Sequence, residues 1–486
     1  MDDHLYTDSE PGYRATHVDS RIPPPSTRDY LSSRSRNNHH SSNQNQRSRR
    51  YEPYHSNRSN DAPTRAPPAS HSQYNDSPPA APRSVQPEPP KQKPVLKIDF
   101  HANTDFVECA TEPESKRYSV EDIVELIDIR EAKTDVDFLS FGDVMQKLNA
   151  LRLKTGRLSH EQLSSARQRS NPFEHIGKSI FMNRAATKLA ALDATFQLTA
   201  TELNKPLLFA DICGGPGGFT EYLLWRTSSG GGSAHGYGIT LKSSDDAANW
   251  HLEEMRRDIP LNFTQIDGVD GTGDLYKEAN IREFAAVVSN HTKKRGVDLV
   301  VADGGFDFTG KEHMQEQLAR KLILCEIITM LTCLKQGGTF VCKFFDMMED
   351  FTADLVWLLY QLFDRICITK PLTSRPANSE RYVVCKNLRP GHPIKLIEAL
   401  LDVNRKLDEN ATKDICFVPR SVLEKDETFV NYVKMRNMKF AVKQTETLEQ
   451  FGQFVNDPHR PATYDQNQVR RQCLNEWHLP LSENEP

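Results

Sequence analysis

The spacing of apolar residues divides the chain into four stretches. Up to residue 94, Ser, Pro, Asn, Arg and His dominate, large aliphatic side chains are scarce and no period is legible. Such a segment buries too little apolar surface to offset the entropy of ordering it. Residues 1–94 are therefore expected to be a disordered tail, with Arg47-Ser48-Arg49-Arg50 as a solvated basic cluster. Between 95 and 170 apolar residues recur at helical spacing, over 118–129 with Ser119 as a cap ahead of Glu121 and Asp122, and again over 143–154. Between 171 and 390 the period itself alternates. Short apolar runs at 207–212, 235–241, 261–267, 297–302, 339–345, 365–369 and 381–388 predict strands. Helix-spaced stretches at 219–225, 281–290, 315–334 and 351–363 separate most of them, with Gly337-Gly338 read as the end of the third. From 391 to 486 the pattern is helical and more polar, which predicts an extension packed on the preceding core.

Strands alternating with helices build a parallel sheet covered on both faces. The last two predicted strands stand too close for a helical crossover and are expected to pair antiparallel. The predicted fold class is therefore α/β and Rossmann-like: a mostly parallel sheet with an antiparallel final strand and helices on both faces.

Composition narrows the function. A formal net charge of −5 over 486 residues leaves no chain-wide basic surface, so a polyanionic partner needs a local patch. Nine cysteines, an odd number without a CxxC pair, predict reduced thiols with no disulfide partner and no metal site. No apolar run reaches membrane-spanning length and the N-terminus lacks a signal-peptide core, so no membrane partner is expected.

The first strand of the alternating region runs into Asp211-Ile212-Cys213-Gly214-Gly215-Pro216-Gly217-Gly218-Phe219. Glycines let a backbone approach a ligand closely, and the N–H groups that open the next helix favour an anionic group. The spacing is not GxGxxG and the turn has no P-loop lysine. The second strand ends Gly238-Ile239-Thr240-Leu241-Lys242, without the acidic residue a nicotinamide ribose requires. These departures favour an amino-acid carboxylate over a pyrophosphate at the turn.

Four separated motifs then occur in one order: 181–193 (FMNRAATKLAALD), 211–222 (DICGGPGGFTEY), 301–306 (VADGGF) and 373–385 (TSRPANSERYVVC). Together they resemble the FtsJ-type 2′-O-methyltransferases, and among these the enzymes specific for the mRNA cap. The resemblance implies S-adenosyl-L-methionine as cofactor. Its expected contacts are Asn183, Asp211, Cys213, Gly214, Gly215, Pro216, Gly217, Gly218, Phe219 and Asp274, with Asp274 accepting from the adenine amine. The resemblance also implies a catalytic Lys-Asp-Lys-Glu tetrad on Lys188, Asp303, Lys343 and Glu380. These residue types suit the chemistry. A ribose hydroxyl attacking a sulfonium methyl must lose its proton, and a lysine can take it where burial or a neighbouring cation favours the neutral amine. Lys343 lies in an apolar strand, where a lysine is costly unless paired, and is the expected base. Lys188 is the nearby cation, and the two acids hold the lysines.

The substrate expected from the resemblance is capped mRNA, methylated on the first transcribed nucleotide beside 7-methylguanosine. Six basic residues lie between Lys147 and Arg169, dense for a slightly acidic chain. By resemblance Arg152, Lys154 and Arg167 contact the cap and its triphosphate, Glu312, His313, Met314 and Gln315 form the guanine-contacting loop, and Asn378 contacts the RNA. Glu312-His313 departs from the Glu-Asn that such enzymes often carry there. A nuclear location, with the cytoplasm as a second one, and contact with transcription or capping machinery belong to the same expectation, although neither a glycine-patterned patch nor a further C-terminal domain is legible. A ribosomal- or transfer-RNA methyltransferase and a non-catalytic RNA-binding module are the alternatives.

Overall fold

The structure is a computed structural model that describes residues 98–109, 117–132, 135–176, 180–200, 205–244, 246–306, 308, 314–410 and 414–480. The expected tail at 1–94 and its basic cluster lie outside the described residues. All elements below belong to the unit that runs from Phe100 to Pro486.

In chain order they are β1 (Val107–Glu108), α1 (Val120–Leu126), β2 (Arg130–Glu131), α2 (Val136–Leu139), α3 (Gly142–Thr155), α4 (His160–Ser170) and α5 (Arg184–Phe196). The alternating region follows: β3 (Leu207–Ile212), α6 (Gly218–Ser229), β4 (Ala234–Ile239), β5 (Phe263–Gln265), α7 (Glu278–His291), β6 (Val297–Ala302), α8 (Gln315–Cys333), β7 (Leu334–Phe344), α9 (Asp350–Leu362), β8 (Phe363–Thr369) and β9 (Arg381–Leu388). The last stretch carries α10 (Ile394–Leu407), β10 (Ile415–Cys416), α11 (Arg420–Glu424), α12 (Glu427–Asn456) and α13 (Gln466–Glu476). Ser119 caps α1 as predicted: its hydroxyl accepts the Asp122 N–H and the Asp122 carboxylate accepts the Ser119 N–H.

Eight strands form one sheet in the order β1-β8-β9-β7-β6-β3-β4-β5. The pairs β3–β4, β4–β5, β3–β6 and β6–β7 are parallel, while β9 runs antiparallel between β7 and β8. The alternation of periods therefore gave the right class of sheet, and the short link between the last two strands gave their direction. Strand order reverses at β3, which has β4 on one side and β6 on the other. In open α/β sheets that reversal opens a crevice beyond the carboxyl ends of the strands. β3, β6 and β7 end there at Ile212, Ala302 and Phe344, and antiparallel β9 starts there at Arg381.

One boundary differs from the sequence expectation. Gly337-Gly338 does not end α8. The helix stops at Cys333 and β7 begins at once, with Leu334 opposite Val297 and Thr339 opposite Leu299. The extra residues bulge outward through Gly337, whose φ is +77°. The edge strand β1 and the β2–β10 pair are two residues long each, too short to show a period.

The core lies between the sheet and α8 and α9, which bury Leu324, Ile327, Ile328, Leu331, Trp357 and Leu358 completely. The long α12 folds back over α3 and α4. Its buried Asn437 donates to the carbonyls of Leu139 (2.8 Å) and Met347 (2.7 Å) and accepts from Arg381 at the start of β9 (2.7 Å).

Candidate active site

The glycine turn sits at the reversal of strand order. The chain leaves β3 through Cys213, whose φ is +56°, and enters α6 after Gly217, whose φ is +123°. Side chains press on this turn so closely that glycine is required. A Cβ on Gly214 would collide with the Asp211 carboxyl, and one on Gly218 with the Asn183 amide. Asn183 also caps α5, its Oδ1 accepting the Ala185 N–H at 2.9 Å. The N-termini of α5 and α6 thus meet at one place. Asp211 is fully buried under the turn, and its Oδ2 accepts from Thr220 at 2.7 Å. Its Oδ1 has no partner among the described residues. Burial pushes this carboxyl up to about 7, against the opposing Thr220 bond. Asp274 follows Gly273, whose φ of +66° sets its turn against the end of β4, and its Oδ1 accepts the Tyr276 N–H at 2.9 Å. Phe219 faces inward, with its ring centroid 6.5 Å from that of Tyr382.

Four charged side chains converge from α5, the end of β6, β7 and the start of β9. Lys188 Nζ lies 2.8 Å from Glu380 Oε2 and 3.5 Å from Asp303 Oδ2. Lys343 Nζ lies 3.0 Å from Asp303 Oδ1 and donates to the Asp303 carbonyl at 2.8 Å. All four predicted tetrad residues are therefore together, largely buried, with two formal charges of each sign. Burial opposes the charge on Lys188, but Asp303 and Glu380 outweigh it and hold the ammonium above the usual lysine value. Burial likewise opposes the charge on Glu380, yet Lys188, Lys343 and Lys370 hold its carboxyl below the usual range. Glu380 Oε1 is buried without a partner among the described residues.

Two neighbours were missed in the sequence. Tyr382, directly opposite Lys343 in the β7–β9 register, donates to Asp303 Oδ1 at 2.5 Å and accepts from Lys188 at 3.4 Å. Lys370 holds the 371–380 loop: its Nζ donates to Asn378 Oδ1 (2.7 Å), to the Asn378 carbonyl (3.1 Å) and to the Glu380 carbonyl. Burial pushes Lys370 down to about 7. The strand register would have placed Tyr382, whereas nothing in the local pattern distinguishes Lys370.

The predicted substrate residues separate. Arg152 is held bidentately by Asp346 (2.7 and 3.1 Å) and donates to Gln444 Oε1 on α12 (2.8 Å). The guanidinium that the resemblance assigned to the cap is thus also engaged within the chain. Arg169 donates to the carbonyls of Phe454 (3.0 Å) and Pro458 (2.9 Å), and Lys147 pairs with Glu449 at 2.9 Å. Half of the basic stretch thus ties α3 and α4 to the chain around α12. Lys154 is exposed and Arg167 half-buried. Arg167 lies near Arg375 and Glu174, and its Nε is buried with no partner among the described residues. Glu174 pairs with Arg375 (3.0 Å) and Arg184 (3.6 Å). Met314 precedes α8, and Gln315 accepts from the Ser379 hydroxyl next to Asn378. Glu312 and His313 lie outside the described residues.

Residues 181–388 match the family described as FtsJ-like methyltransferase. The chain is 37% identical over 356 residues to the cap-specific mRNA (nucleoside-2′-O-)-methyltransferase 1 of Dictyostelium discoideum, covering 70% of this chain and 46% of that protein. The enzymes of the same name from Mus musculus and Homo sapiens are 39% and 38% identical over 339 residues, covering 66% of this chain and 40% of each of theirs. The chain spans less than half the length of these curated relatives.

Proposed function

We infer, for a chain that carries an FtsJ-like methyltransferase domain, an S-adenosylmethionine-dependent enzyme that methylates the ribose 2′-hydroxyl of the first transcribed nucleotide of capped mRNA. The observation that carries this reading is the Lys188–Asp303–Lys343–Glu380 cluster, set beside a glycine turn at the reversal of strand order. Likeness to the cap-specific enzymes supports the choice of RNA.

The turn suits the cofactor. The Asp211 and Asn183 side chains leave no room for a Cβ at Gly214 or Gly218, and the turn opens on a helix N-terminus that favours a carboxylate. Gly214 to Gly218 and Asn183 would hold the methionine end, and Asp274 the adenine. S-adenosylmethionine supplies an electrophilic methyl group on a sulfonium sulfur.

The residues of this chain do the rest. Lys343 in its neutral form takes the 2′-hydroxyl proton as the oxygen attacks. Lys188, held as an ammonium by Asp303 and Glu380, orients the hydroxyl. Asp303, fixed by Tyr382, aligns both lysines, and Glu380 anchors Lys188. Asn378, held by Lys370, contacts the RNA, and Arg167 attracts the triphosphate. A nuclear location and partners in the transcription or capping machinery accord with such a substrate.

Single-turnover methyl transfer to short RNAs with and without a 7-methylguanosine cap tests the proposal, using wild type and Lys343→Arg. Capped RNA is expected to be the preferred substrate. Lys343→Arg, whose guanidinium stays protonated, is expected to lose about a hundredfold to ten-thousandfold in rate with both ligands still bound. Equal methylation of uncapped RNA overturns the cap assignment, and a near-normal rate in Lys343→Arg overturns the role of the base.

A further inference from the structure

Among the buried carboxyl groups that the mechanism above does not use, Glu326 lies beside the tetrad. Glu326, near the middle of α8, has no exposed surface. Its Oε1 accepts the Gly304 N–H at 3.1 Å, and its Oε2 accepts the Cys342 thiol at 3.5 Å. A Cβ on Gly304 would collide with Oε1. Gly304 directly follows Asp303, and Cys342 directly precedes Lys343. Glu326 thus reaches from one helix to the backbone beside one tetrad member and to the side chain beside another. A buried carboxyl at the centre of a helix packed against a sheet is costly, and an apolar residue would fill the same space.

We propose that Glu326 is a positioning residue of the methyl transfer: it clamps the turn that carries Asp303, and its own ionisation sets how readily Lys343 gives up a proton. The proposal rests on the reading of Lys343 as the base. The groups that face Glu326 are Lys343 and Cys342 on β7, Asp303 after β6, Cys213 after β3, Cys325 on α8 and Tyr276 ahead of α7. Lys343 is the one cation among them. Burial pushes the Glu326 carboxyl up to about 8, against the opposing influence of Lys343, so it changes charge in the working range.

The sign of the coupling follows. Ionised Glu326 stabilises the ammonium of Lys343 and so delays its deprotonation as pH rises. Neutral Glu326 does not. Glu326→Gln keeps an acceptor for the Gly304 N–H and can never become anionic. It should move the pH of half-maximal single-turnover rate downward by about one unit.

The experiment measures single-turnover methyl transfer to capped RNA from pH 6 to about 10 for wild type, Glu326→Gln and Cys342→Ala, with cofactor binding and thermal melting recorded for each. Cys342→Ala removes the thiol donor that favours the ionised carboxyl, so a smaller downward shift is expected. It also carries the test if Glu326→Gln does not fold. Downward shifts with cofactor binding retained support the proposal. A uniform loss of rate at every pH, or profiles that superimpose on wild type, overturn it and leave Glu326 as a packing residue. A wild-type enzyme inactive on capped RNA instead overturns the function proposed above, so the two failures are distinguishable.

Discussion

Two arginine clusters flank the candidate site, and they differ in how completely their hydrogen bonds are made. In the first, Asp346 lies between Arg152 and Arg381. Arg152 also reaches Gln444, and Arg381 reaches Asn437 (2.7 Å) and the Ser379 carbonyl (3.1 Å). Burial opposes the Asp346 charge, but the two guanidiniums outweigh it and hold the carboxyl below its usual range. In the second, Glu174 is set against Arg184, Arg375 and Arg167, three cations around one anion. Arg167 Nε and Arg184 Nη2 are buried with no partner among the described residues. Donors without acceptors beside excess positive charge suit an incoming phosphate, whereas paired donors suit a brace. The same residue type thus separates into two tasks according to what is left unpaired.

The largest expected effect tests the first cluster as a brace. Arg152→Ala leaves Asp346 short of a buried partner and is expected to cost about 3–5 kcal/mol in chemical denaturation. Because the folded carboxyl of Asp346 is depressed, its stabilisation is present above the unfolded carboxylate value and is lost as acid protonates it. The difference between wild type and variant should therefore begin to close below about pH 4. A stability change under about 0.5 kcal/mol, typical of an open surface site, would place Arg152 with the binding residues after all.

Arg167→Ala tests the second cluster. Weaker binding of capped RNA is expected, with cofactor affinity retained and a log–log salt slope shallower by about 0.7, the share of one phosphate on a single strand. An unchanged slope would remove the distinction between the clusters. The smallest effect is expected at Lys154, an exposed charge screened by salt: Lys154→Ala should weaken capped-RNA binding by about twofold. A larger loss there than at Arg167 would mean that surface charge, not unpaired buried donors, attracts the RNA.

These clusters also show what the sequence could and could not disclose. Strands buried on both faces read as continuous apolar runs, which made β3 and β6 legible. Lys343 stood out because it interrupts such a run. The glycine turn was legible because its residues are contiguous. Arg152 and Arg167 looked alike because the neighbours that set them apart, Asp346 and Gln444 for one and Arg375 for the other, come from distant parts of the chain. Tyr382 and Glu326 were missed because a buried polar side chain takes its meaning from the partner across the fold, and local spacing does not encode that partner. The bulge in β7 was misread because two glycines serve equally as a helix stop and as an outward loop within a strand.

Gln444 on α12 has a consequence for how the protein could be divided. Its amide accepts from Arg152 through Oε1 and donates to the Ala377 carbonyl through Nε2 at 2.7 Å, so one side chain joins α3 to the loop that carries Asn378. The match to the family model ends at residue 388. A fragment cut there would keep every tetrad residue and lose Gln444 and Asn437 together, leaving one hydrogen bond of Arg152 and one of Arg381 unmade. The stretch matched by the family model and the stretch that completes these arginine contacts are therefore different objects. Their boundary is drawn by amides on a helix that a motif search would discard.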